Sequence, residues 1–292
     1  AVASPNLISR EDADALPEVG AFLRNTSVTA SGALTLDAVG GQTIAALVVA
    51  MSAAIGAGAV AGVALSGAGV WAENTIASDV QAFISATSAA TVTAATVTAA
   101  SVGLRAADHS AIMAIAGSAS LAAGIGLVGV AIAVSATIAR NTISSDVSAH
   151  VQNTAVTATQ PDDPNDPDDV TGITITADNS ATITAIAAAA SLAVGGGLVG
   201  AGGSGAGADV ANVILTATVA SASGGSLSSK SAVTISATDD ATITATVGAV
   251  SAALGAGFVG AGLAMGASRA RNLIGWALDA TTATPAQITA SA

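Results

Sequence analysis

Three segments carry glycines at a spacing that can cradle a pyrophosphate: Gly124-x-Gly126-x-x-Gly129, Gly195-x-Gly197-x-x-Gly200 and Gly255-x-Gly257-x-x-Gly260. In a dinucleotide site such glycines bring the backbone against phosphate at a helix N-terminus, and an acid about 20 residues further on holds the ribose. Asp146 and Asp279 lie close to that distance. The context fails the motif. Strand-like, Gly-rich sequence follows each run instead of a helix, the first copy has Ala61 in place of the last Gly, and Ala217 stands where Asp146 aligns. These glycines are therefore read as packing positions, and no cofactor is expected.

A second candidate chemistry is cation binding. Residues 160–169 read Gln-Pro-Asp-Asp-Pro-Asn-Asp-Pro-Asp-Asp, the one dense acidic segment. Calcium takes about six to eight oxygen ligands, and Asp163, Asn165, Asp166, Asp168 and Asp169 could supply several. Three prolines keep the same segment extended and solvated, so a polar surface loop is the competing reading. His109 and His150 are the only histidines and cysteine is absent, so neither a Ser/His/Asp site nor a thiolate metal site is expected. Thr-x-Thr pairs such as Thr174/Thr176, Thr182/Thr184 and Thr242/Thr244 put two hydroxyls on one strand face, which admits an ice- or ligand-binding array as a minor alternative.

The elements that would position these residues repeat. Ser52, Ser120, Ser191 and Ser251 each open a Gly-rich apolar run, and Asn74, Asn141, Asn212 and Asn272 follow after 22, 21, 21 and 21 residues, each with Ile two places later. Long-period repetition means copies of one supersecondary unit, each burying its apolar face on the next. The units are read as 27–87, 88–155, 156–219 (with the acidic loop 160–169) and 220–292. Residues 1–26 form a mixed-charge leader or cap.

Each unit opens with alternating β-branched and hydroxyl residues, as in Ile173-Thr-Ile-Thr-Ala and Val233-Thr-Ile-Ser-Ala, which predicts strands. Large apolar residues keep even parity from Val130 to Ile138 and odd parity from Ile143 to Val151. That change predicts a flip of face near Asn141, by a bulge or a left-handed Asn. The four Asn are expected at turn or ladder positions.

The fold expected is mainly β: four units of about 60–71 residues in a β-solenoid-like or stacked-sheet fibre module with Gly/Ala-rich apolar segments. The alternative is an α+β repeat with Gly-zipper helices. Charge-free runs over 38–72, 111–139, 179–208 and 241–268 exceed the ~20 residues of a membrane span. Eight glycines between 195 and 208 make a poor helix in water, and the runs lack aromatic belts and a positive-inside bias.

Composition narrows the function. Charged residues are 9% and aromatics 2%, and the net charge is -12 with a single lysine, Lys230, so nucleic acid is an unsuitable partner. The first residues, Ala1 to Pro5, carry no basic or apolar signal-peptide region, so a mature form or a fragment of something longer is expected.

The alternation Val233-x-Ile235-x-Ala237-x-Asp239, closely matched from Ile173 to Ala185, resembles the repeats of giant bacterial exoproteins of the filamentous-haemagglutinin and RTX-adhesin type. The resemblance implies a secreted, elongated, β-rich stalk or fibre at a bacterial surface, acting in adhesion or biofilm matrix. The Gly/Ala-rich runs depart from the usual solenoid coil and suggest self-assembly through apolar surface. The expectation is a non-enzymatic extracellular structural protein that self-associates and meets cell-surface or matrix partners, without cofactor unless calcium binds. A membrane-inserting or pore-forming protein is the first alternative.

Overall fold

A computed structural model of the chain describes residues 19–87, 95–161, 172–276, 278 and 287–291. The candidate calcium ligands Asp163, Asn165, Asp166, Asp168 and Asp169 lie outside the described residues, as do Asp279 and one further Thr-x-Thr pair, Thr91/Thr93.

Every described element is a strand. β1 (Val19–Arg24) precedes a first coil of β2 (Val28–Thr29), β3 (Leu34–Gly40), β4 (Thr43–Ala57) and β5 (Ala61–Ser85). The second coil repeats this as β6 (Thr96–Ala99), β7 (Ser101–Asp108), β8 (Ala111–Ile125) and β9 (Val128–Gln152). The third has β10 (Ala155–Ala158), β11 (Gly172–Asn179), β12 (Thr182–Gly196) and β13 (Val199–Ser223). The fourth has β14 (Ser226–Ser229), β15 (Val233–Asp239), β16 (Thr242–Ala256) and β17 (Val259–Ile274), with β18 (Gln287–Ser291) after it.

Corresponding strands pair in parallel, giving the orders β1-β5-β9-β13-β17, β2-β6-β10-β14, β3-β7-β11-β15 and β4-β8-β12-β16, with β18 on β13. This is a β-solenoid of four coils. The charge-free runs form the 15-residue strands, the turns after them and the first parts of the strands that follow, so neither membrane helices nor Gly-zipper helices form from them. Among the described residues no helix is long and apolar enough to cross a membrane.

Each coil is a flattened loop of two layers. β5, β9 and β13 are each 25 residues long and form one layer. The middle and 15-residue strands of the same coil form the other. The first part of β5 faces β4, and the rest faces β3. The layers thus define a blade, closed by the Gly-rich tips at 58–60, 126–127, 197–198 and 257–258, and a shaft.

The two regions are filled differently. The shaft core holds Val80, Ile84, Val97, Leu104, Val147, Ile173 and Ile175. The blade core is mostly alanine, with Ala64, Ala122, Ala131, Ala133 and Ala193 in one cluster and Ala189, Ala206 and Ala208 in another.

The expected change of face near Asn141 does not occur. Along β9 the odd positions are buried from Gly129 through Asn141 to Val151, without a break. Val130, Ile132, Val134 and Ile138 point outward, while Ala131, Ala133, Ser135 and Thr137 point inward. What changes at Asn141 is the size of the inward residues, not their face. Left-handed asparagines do occur, but at Asn25 and Asn153 (φ 52 in both), where the chain turns from the long strand into the next coil. Gly224 (φ 66) takes the same corner in the third coil.

The expected leader joins the stack in part. Val19–Arg24 pairs with Val80–Ser85, and Phe22 stacks on Phe83, which stacks on His150, at 5.0 Å each. The unequal unit lengths arise in connecting segments: residues 86–95 and 159–171 are longer than their counterparts, while strand register is kept.

Candidate interaction surfaces

The marker residues come together as columns running from coil to coil. Asn74, Asn141, Asn212 and Asn272 share one register column. Nδ2 of each donates to Oδ1 of the next, at 2.8, 2.8 and 2.9 Å. Asn141 and Asn212 are fully buried, and Asn272, on β17, is exposed. Side-chain amide ladders of this kind recur where identical strands stack in register.

Ser52, Ser120, Ser191 and Ser251 form the second column, on the opposite layer. They bond across the blade: Ser52 with Ser66 at 2.8 Å, Ser191 with Ser204 at 2.6 Å, and Ser251 to Ser204 at 2.9 Å. In the second coil the facing residue is Ala133, and Oγ of Ser120 is buried without a partner. The facing hydroxyls had no signal in the Ser-to-Asn spacing; sorting inward from outward parity would have found them.

The first and last glycines of the runs that imitate a phosphate loop form two further columns. A Cβ on Gly56, Gly124, Gly195 or Gly255 would sit 1.9–2.2 Å from the carbonyl oxygen of Val63, Val130, Ala201 or Ala261. Only glycine lets the layers converge this closely at the tip. The second column is Gly62, Gly129, Gly200 and Gly260, blocked likewise by facing carbonyls at 2.1–2.5 Å. Gly62, not Ala61, is the first coil's member, because its tip is one residue longer. That extra residue also accounts for the single Ser-to-Asn spacing of 22.

A third polar feature is carried by no motif in the sequence. Asp108 is fully buried at the blade–shaft junction. One of its oxygens accepts from Ser78 (3.0 Å) and Ser145 (2.6 Å), the other from Ser110 (2.9 Å). Asn179 and Asp239 occupy its column in the next coils, bonded to each other at 3.0 Å, and Thr216 donates to Asp239. These carboxylates bind facing hydroxyls and tie the layers together. Among the described residues no three His, Cys, Asp or Glu side chains converge on a point that could hold a metal. His109 bonds Ser180 at 2.6 Å, and His150 lies in the Phe stack.

The outer faces of the blade are apolar on both sides. One carries Leu47, Met51 (81% exposed), Ile55 (76%), Met113, Leu121 and Val250. The other carries Val63, Leu65, Ile132, Val134, Leu263 and Met265, and Phe258 at a tip is 91% exposed. A shallow apolar groove of about 700 Å³ crosses the first face over Met51, Ala119, Ala190 and Val250, between ridges that include Leu121 and Leu192. Large exposed apolar surface marks an interaction site in a protein otherwise in water.

Charge begins at the base of the blade, on the face of the long strands. Glu73, Arg140, Asp209, Arg269 and Arg271 lie there across successive strands, with Arg140 bridging to Asp209 at 3.3 Å and set over Trp71 at 6.0 Å. Outward threonines line up in one column, Thr29, Thr98 and Thr157, which Ser228 continues, whereas the column of Thr174 holds Gly103, and that of Thr184 holds Met113 and Ala45. No protein-family model, curated protein or solved structure matches the chain.

Proposed function

We propose that the chain is a non-enzymatic structural and adhesive module of the bacterial cell exterior: an elongated stalk or self-assembling filament unit of a surface or biofilm matrix. The observation that carries this reading is where the interior polar groups are spent. The Asn column, the Ser column and the Asp108 junction tie coil to coil and layer to layer. Such bonds serve length and rigidity. The exposed blade supplies the adhesive surface, since parallel strands apolar on both faces are normally covered on both.

Two measurements on the whole chain test this. Immunogold labelling of intact source cells should decorate the exterior; label only after permeabilisation contradicts it. Adsorption should be several-fold greater on alkyl-coated than on bare silica, and equal adsorption contradicts an adhesive blade.

A second reading, membrane insertion, draws on one observation: Trp71 and the charged row sit about 36 Å from Val60 at the tip, at ~3.3 Å per residue, close to the ~30 Å of a bilayer's hydrocarbon. Open sheet edges are costly in lipid, which ranks this reading second. Flotation of the chain with liposomes together with dye release would favour it.

A further inference from the structure

We infer that the two ends of the blade are complementary, and that a second copy of this chain docks head to tail, its β4 on β16 and its β5 on β17. This rests on the structural reading above and gives it a defined joint.

Among the described residues no strand pairs with the outer edge of β4, of residues 61–79 of β5, of β16 or of β17. Edges of this length are usually blunted by charge, proline or a bulge. Here β4 and β16 contain no charged residue and no proline, and β17 is charged only at Arg269 and Arg271. The lengths also match: β4 and β16 are 15 residues each.

Continuing the observed register across the joint fixes the partners. Ser251 meets Ser52, Gly255 meets Gly56, Asn272 meets Asn74, and Arg271 meets Glu73 of the next copy. The Asn ladder is directional, each Nδ2 donating toward the C-terminal coil. Exposed Asn272 thus presents its Nδ2 to the Oδ1 of the incoming Asn74. Charge agrees: the base row begins with acidic Glu73 and ends with Arg269 and Arg271. Nε of Arg271 is shielded from water and has no hydrogen-bond partner. Arg269 would arrive opposite Trp71, which already carries Arg140 over its ring.

The joint requires one exchange. β1 lies one coil ahead of β5, so an incoming β1 reaches the level of β17, where β18 now occupies β13. Register carries Val19 through Val80 and Val147 to Thr218, and Arg24 through Ser85 and Gln152 to Ser223. The incoming β1 therefore takes Thr218–Ser223 and β18 leaves. β18 is a placeholder for the next copy's β1.

The test uses the absence of native cysteine. Val63 and Ala261, both outward-facing, become register neighbours only across this joint. A mixture of Val63→Cys and Ala261→Cys chains treated with a short bismaleimide should give covalent dimer at least tenfold above either variant alone, and Arg271→Gln in the Ala261→Cys chain should lower that yield several-fold. No mixed dimer, or equal dimer from either single variant, overturns the joint, and an undiminished yield with Arg271→Gln overturns the assigned ion pair. Exterior immunogold label with no mixed dimer would sink the joint alone and leave the structural reading standing.

Discussion

Nδ2 of Asn141 donates to Oδ1 of Asn212 at 2.8 Å, although 71 residues separate them. The bond joins two coils at a fully buried site, so its partners have no water to fall back on. Asn141→Ala leaves Nδ2 of Asn74 and Oδ1 of Asn212 unmatched, at about 1–3 kcal/mol for each buried group. The urea midpoint should fall accordingly. Asn272→Ala, at the exposed end of the ladder, should lose less than half as much.

The glycine columns separate positions that need glycine from positions that only contain it. A Cβ on Gly195 would lie 2.1 Å from the carbonyl oxygen of Ala201, whereas one on Gly207 meets nothing within 4 Å. Gly195→Ala should cost about 3 kcal/mol or more by forcing the layers apart. Gly207→Ala should be neutral or stabilise by up to ~1 kcal/mol, since an unconstrained glycine loses more entropy on folding. Thermal unfolding of the two variants measures the contrast.

Ser120 offers a gain. Its Oγ is buried without a partner because Ala133 stands where the first and third coils have Ser66 and Ser204. Ala133→Ser should restore the cross-blade bond and add about 1 kcal/mol, read as a rise in melting temperature. Ser120→Ala should cancel that gain in the double variant.

The outer face can be made polar without touching the core. Leu47, Met51 and Ile55 all point outward, and threonine keeps a high strand preference. The triple Thr variant should retain strand circular dichroism while binding of a hydrophobic fluorescent dye falls several-fold. Unchanged dye binding would place the accessible apolar surface elsewhere.

The sequence carried the strand alternation, the period and the marker columns, because each records a position repeated in register. It misled at Asn141, where large residues exchanged parity. Val130 and Ile132 look like core by type, but the converging backbones leave room inside only for Ala131, Ala133 and Ser135. Hydrophobicity named the apolar residues without revealing which side was thin. Asp108 was illegible for another reason: its partners Ser78 and Ser145 lie 30 and 37 residues away, at a spacing set by the fold.

Electron microscopy of the purified chain over a range of concentration and salt tests the structural claim most directly. Unbranched rods are expected, lengthening with concentration in steps of about 19 Å, the rise of four coils at ~4.8 Å each. Compact particles of constant size at every concentration and salt would contradict it.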